Sequence, residues 1–152
     1  MSEELNINKQ ELYPLNTNKN IQARVGNFPQ KIGILREKAI QLLGLNRSEA
    51  NILISSDKPK YIEKHFIDKT DLDLHISLIP GIIEKPDYVA LHPNGTSVEY
   101  IKIMDEIVLI AVRLNRNNTL WFKTMFKITP AKLQVYIDSG TAKKYVTNEY
   151  IC

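Results

Sequence analysis

The run EIVLIAVRLNR constrains this chain more than any other stretch. Every position in residues 107–112 is apolar. Successive side chains of a strand point to opposite faces, so a strand with one wet face alternates apolar and polar residues. Residues 107–112 leave no wet face, and they specify a central strand covered on both sides.

Around this strand stand the signals of an antiparallel meander. PDYVALHP reads as a strand, and Asn94-Gly95 as a tight turn between apolar runs. SVEYIKIM is the next strand, and Asp105-Glu106 turns the chain into the central run. Residues 115–118 form a hairpin loop leading into TLWFKTMFKI, the fourth strand. Thr129 caps, Pro130 starts and Gly140 stops a closing helix that carries Leu133, Tyr136 and Ile137.

Upstream the pattern is helical. KIGILREKAIQLLGL sets Ile34, Ala39, Leu42 and Leu43 at helical spacing with Gly44 as cap, a helix of about three turns. ANILISS is a short β-rich run, after which Ser56 or Asp57 caps DKPKYIEKHF with Pro59 in the first turn. Thr70 or Asp71 caps a further helix with Leu74, Leu78, Ile79, Ile82 and Ile83 on one stripe. Pro80-Gly81 should kink or split that helix, and Pro86 ends it. The expected fold class is α+β: N-terminal helices, a four-stranded mainly antiparallel sheet, and a C-terminal helix. The 152 residues suffice for one domain, placed at residues 31–145. Residues 1–30 are rich in Asn, Lys and Gln, are broken by Pro14 and Pro29, and read as a flexible or partner-docking arm. Residues 146–152 read as a tail.

Composition narrows the function classes. No apolar run reaches membrane-spanning length, and MSEELNINKQELYP lacks the basic-then-apolar pattern of an export signal. The lone Cys152 allows neither an internal disulfide nor a cysteine-rich metal site, which fits a reducing, cytoplasmic setting. The net charge of +3 permits nucleic-acid binding without a dense basic face. The histidines lie far apart with no HxH or HExxH spacing, so no metal and no other cofactor is expected.

An ordered series of short motifs adds a resemblance. "LLGL" at residues 42–45 is followed by "ILIS…YIEKH" ending in Lys64-His65, then "LIPGIIEKPDYV", "SVEYIKI", "VLIAVRL", "LWFKTMF" and "LQVYIDSG". In this order the chain resembles the phage-associated nuclease domains grouped with barnase, EndoU, colicin-type tRNases and RelE toxins (a BECR-like fold), over residues 31–140. Each motif is degenerate, and the order carries the specificity. The resemblance implies a nuclease fold and nuclease activity.

Metal-independent RNA cleavage needs a base for the ribose 2′-OH, a cation for the crowded phosphorane and an acid for the leaving oxygen. His serves as base or acid near neutrality, and Lys or Arg as the cation. The resemblance makes His65 the leading catalytic candidate, beside Lys64 and four residues before Lys69. As a bland alternative, His65 is a surface cation complementing a helix end. Arg113 closes an apolar strand, either as a site residue or as the strand's exit to solvent. Strict alternation sets Thr124 with Leu120, Phe122 and Phe126, and sets Lys123 with Trp121 and Met125. Lys123 and Thr124 therefore serve one site only if a bulge intervenes. The resemblance implies a hydroxyl at the position of Thr124. Trp121 and Tyr100 are either base-stacking or packing residues. His75 reads as an exposed-face partner of Asp71, and His92 as a turn residue. Glu99 and Glu106 are candidate bases that spacing does not separate from solvated carboxylates.

Two functions follow as expectations. The first is a phage- or prophage-derived ribonuclease, a toxin or host-modifying effector. It would have His65, Lys64, Arg113 and Thr124 as catalytic residues, with Lys69, Tyr100 and Lys123 binding RNA, tRNA among the candidates. The second is a non-catalytic nuclease-like module that holds a host or phage protein partner through the N-terminal arm.

Overall fold

The computed structural model of the chain describes residues 29–115 and 118–145. All but the last two residues of the expected arm, and the whole expected tail, lie outside them. The described residues form a seven-stranded sheet and four α-helices, an α+β arrangement as expected.

The central strand is where the apolar run places it. β5 (Ile107–Arg113) pairs antiparallel with β4 (Ser97–Ile103) on one side and β6 (Thr119–Ile128) on the other. β3 (Tyr88–Leu91) pairs antiparallel with β4, completing the expected four-strand meander. The sheet extends beyond this meander. β1 (Gln30–Leu35), β2 (Ala50–Ile54) and β7 (Ala142–Lys144) complete the order β1-β2-β6-β5-β4-β3-β7, in which only the β2–β6 contact is parallel. The expectation of a four-stranded sheet is corrected accordingly.

The N-terminal helix is also corrected. Residues from Lys31 onward begin as β1, and α1 (Glu37–Leu43) is shorter than the expected helix, capped by Gly44 at φ 66°. Lys31-Ile32-Gly33-Ile34-Leu35 has apolar residues that fit either period, and pairing with β2 settles it as a strand. α2 (Lys58–Ile62) runs on into one 3-10 turn (Glu63–His65). α3 (Lys69–Glu84) is capped one turn early by Asp68, whose side chain accepts from Asp71 N at 2.9 Å. α3 continues through Pro80 without being split. Four isoleucines at positions 76, 79, 82 and 83, at most 3% exposed, press it onto the sheet and hold it against a proline that costs ~3 kcal/mol. α4 (Pro130–Asp138) is capped by Thr129, whose Oγ1 accepts from Lys132 N at 3.1 Å.

Two apolar clusters cover the two faces. The larger joins Ala39 and Ile40 of α1, Ile62 of α2 and the α3 isoleucines to Val98, Tyr100, Val108, Ile110, Val112, Leu120, Phe122 and Met125 of the strands. The smaller joins Leu133, Tyr136 and Ile137 of α4 to Ile101, Leu109, Ala111 and Phe126. α1, α2 and α3 thus lie on one face, and α4 on part of the other.

Gly33 sets how closely α3 approaches β1. A Cβ at Gly33 would meet Ile83 Cγ2 at 2.7 Å, an overlap that requires the helix or the strand to shift. Gly33→Ala is expected to lower stability by about 1–3 kcal/mol, read as a lower urea midpoint at unchanged slope. Combining it with Ile83→Ala should cost less than the sum of the two single changes.

Candidate active site

Residues opposite one another in paired strands share a face. On the α4 face the register aligns Tyr88, Ile101, Leu109 and Phe126 in one row. The next row is Ala90, Glu99, Ala111 and Thr124, with Ala142 of β7 at its end. A third is Ser97, Arg113 and Trp121, with His92 beside Ser97 through an N–H···O bond of 2.9 Å. The first row is apolar and lies under α4. The second is small except for Glu99, and the third is polar and aromatic.

Glu99 is 4% exposed, between alanines on both neighbouring strands. It is the one acidic residue in any described strand. Its Oε1 is buried without a hydrogen-bond partner among the described residues. Burial pushes its carboxyl above the usual range, and the Tyr136 hydroxyl and the charges of His92, Lys132 and Lys123 pull it partly back. Tyr136, on α4, donates to the carboxylate, and burial followed by that negative charge pushes the phenol up to about 12. Lys132, one turn earlier, lies over the Tyr136 ring with Nζ 5.8 Å from its centroid. A buried carboxyl with a raised pKa among cations is the arrangement of a general base held ready to take a proton.

His92 is fixed by the turn that follows it. Its Nδ1 accepts from Asn94 N–H at 3.2 Å, which leaves Nε2 as the protonated nitrogen of the neutral ring. Asn94 Oδ1 in turn accepts from Thr96 N and Oγ1 at 2.9 and 2.8 Å.

β6 carries the bulge on which a shared site for Lys123 and Thr124 depends. Ala111 pairs with Thr124 but Val112 pairs with Phe122, so Lys123 is the extra residue. Phe122 and Met125 both face α1–α3, so Thr124 joins Phe126 on the α4 side rather than Leu120 and Phe122. Lys123 acts electrostatically on Glu99 from there. Lys123, Thr124 and the exposed Arg113 therefore share the face of Glu99.

The other sequence candidates lie elsewhere. His65 sits on the 3-10 turn, its ring 5.9 Å from that of Phe126, one row from Thr124 along β6. Burial, and then the Lys64 charge, push its pKa down. Lys64 Nζ lies over Tyr61, 4.6 Å from the ring centroid, and Lys69 pairs with Asp73 at 3.3 Å. Tyr100 is 1% exposed on the opposite face, with its hydroxyl unpartnered among the described residues and burial raising its pKa. His75 does meet Asp71, but buried rather than exposed, with Nδ1 2.9 Å from the Asp71 carbonyl and 3.2 Å from Oδ1. Glu106 is held by Lys127 at 3.0 Å.

Sequence reasoning passed over Lys132 and Tyr136 and set Glu99 and His92 aside. The missing signal was cross-strand: the alanines beside Glu99 come from β3 and β5, so spacing along one strand does not display them. The single acid among the strands was visible and is the one clue the sequence offered.

Fold and cluster together define a small α+β domain with a candidate acid–base centre on one sheet face. Over residues 30–134 the chain matches the family described as phage-Barnase-EndoU-ColicinE5/D-RelE like nuclease3, and it belongs to that family. The matched span holds Glu99, His92, Arg113, Lys123, Thr124 and Lys132, and stops short of Tyr136. No curated protein and no solved structure matches the chain. No described helix is long and apolar enough to cross a membrane.

The raised carboxyl of Glu99 has a stability consequence with a definite sign. Folding favours its protonated form, so the native state is favoured below the ordinary Glu pKa and loses that advantage as pH rises through the higher folded pKa. Glu99→Gln should therefore melt at a higher temperature than the native chain at pH 7, with the gap closing at pH 4. A lower melting temperature at pH 7 would contradict the burial argument.

Proposed function

We propose that the chain is a metal-independent ribonuclease whose base is Glu99. The observation that carries this reading is the buried, partly unpartnered Glu99 carboxyl set between alanines and surrounded by His92, Lys123 and Lys132, with Arg113 in the adjoining row. Glu99 takes the proton of the 2′-OH, and O2′ attacks phosphorus. The phosphorane charge is met by Arg113, Lys123 and Lys132, with the Thr124 hydroxyl positioning a phosphate oxygen. The bond from phosphorus to O5′ breaks, and His92 in its imidazolium form, with Nδ1 released from Asn94 N–H, gives its Nε2 proton to the leaving oxygen. The products are a 2′,3′-cyclic phosphate and a 5′-hydroxyl. A phage or prophage source, a toxin role and action in a host cytoplasm accord with the family and belong to the same proposal.

This reading moves the base from His65 to Glu99 and keeps Arg113, Lys123 and Thr124 from the sequence-based set. Purified protein is expected to cleave single-stranded RNA equally well with and without EDTA. Glu99→Gln should lower the rate by a factor of ~10²–10⁴, the usual contribution of a general base. His65→Ala should retain most activity. The reverse ranking of the two variants would return the base to His65. The rate should rise with pH through a pKa above the ordinary glutamate range, following the raised Glu99 carboxyl.

One observation favours a second reading. Glu99 is 4% exposed with Tyr136 bonded to it, so this conformation admits no ribose to the carboxylate unless Tyr136 turns aside. A non-catalytic module that holds a protein partner would have no need of such access. Folded, monodisperse protein that leaves every RNA class intact would favour that alternative.

A further inference from the structure

We propose that the half of this sheet face beyond α4 is a track for a single strand of RNA, with the indole of Trp121 as its stacking platform. The proposal rests on the ribonuclease reading for the identity of the strand.

The third row of the α4 face does not end at β6. Trp121 pairs with Leu53 of β2, and Leu53 with Lys31 of β1, so the row runs Ser97, Arg113, Trp121, Leu53, Lys31. The flanking residues fix its direction. Ile52, Ile54, Leu120 and Phe122 all belong to the cluster under α1–α3, so Leu53 and Trp121 point the other way. The cluster under α4 contains no residue of β1 or β2. Lys31 and Arg113 are exposed there, and Leu53 and Trp121 are half-buried.

The chemistry of this surface matches one occupant. An aromatic plane in one row with two exposed cations takes a base on the plane and phosphates at the flanks. The strands contribute no carboxylate to the exposed part of the face, since their one acid is the buried Glu99. Adjacent rows lie two residues apart along a strand, ~6.6 Å, so a base on Trp121 sets a neighbouring phosphate toward Glu99, Lys123 and Thr124. Every base offers a π face, so the track should read little sequence. A duplex hides those faces in its own stack, so it should be refused.

Trp121 is the single tryptophan of the chain, so its fluorescence reports this position alone. The probe is a single-stranded 2′-O-methyl oligoribonucleotide, which lacks the nucleophilic hydroxyl and survives the titration. Indole emission should be quenched saturably, the quench should fall with added salt, and the same oligonucleotide annealed to its complement should leave emission unchanged. Trp121→Leu, with a native circular-dichroism spectrum, should bind the fluorescein-labelled oligonucleotide about tenfold or more weakly by anisotropy. Binding by anisotropy with unchanged indole emission, equal quenching by the duplex, or undiminished binding by Trp121→Leu would each overturn the proposal. If Trp121→Leu does not fold, the quench of the native chain decides alone. Quenching without cleavage of unmodified RNA would retain the track and remove the catalytic reading. Cleavage with unchanged emission would do the opposite.

Discussion

The two-sided burial of β5 is the constraint on which the rest of the structure depends. Val108, Ile110 and Val112 are covered by the layer of α1, α2 and α3, and Leu109 and Ala111 meet the cluster gathered under α4. A strand without a wet face leaves the domain no freedom to expose one whole side of the sheet. Polar chemistry can therefore enter only where the covering layer stops. On the α1–α3 side it does not stop, and Tyr100 is sealed there. On the other side α4 is short, and the sheet runs out from under it at Arg113 and Trp121, one row beyond the covered Glu99. The extent of one nine-residue helix thus determines where a reactive surface can exist.

The bulge in β6 does the second part of this work. Strict alternation would send Lys123 and Thr124 to opposite faces and would put one of them against the isoleucines of α3. One extra residue lets Phe122 and Met125 stay in the same apolar layer while both intervening side chains emerge on the other side. The core loses nothing, and the opposite face gains a cation and a hydroxyl beside Glu99.

Much of this was legible in the sequence. The apolar run at residues 107–112, the Asn94-Gly95 turn and the Thr129-Pro130 start each have a local cause, and each element formed where that cause put it. β1 was not legible, because its apolar residues satisfy a helical period as well as a strand period and only pairing with β2 decides. β7 was not, because AKK has no alternation, and its strand state depends on the open edge of β3. The parallel insertion of β2 beside β6 joins segments more than sixty residues apart, which no window reads. Among candidate site residues, Arg113 and Lys123 stood out as cations in apolar strands, and Thr124 through the family resemblance. Glu99 was set aside because its surroundings lie on other strands, and His92 because its turn geometry depends on Asn94.

The same burial that makes Glu99 a candidate base also sets a conflict within the fold. A carboxyl between alanines in a covered row is costly to ionise, and the fold offsets this with Tyr136, His92, Lys123 and Lys132 rather than with a direct ion pair. A direct pair would fix the charge permanently and lower the carboxyl's affinity for a proton. The neighbouring charges lower the cost of ionisation without removing it, so the carboxyl stays above its usual range. Packing alone would favour an apolar residue at this position, between Ala90 and Ala111 and under Tyr136. A glutamate there costs the row stability, a cost for which the proposed use of its proton supplies a physical reason.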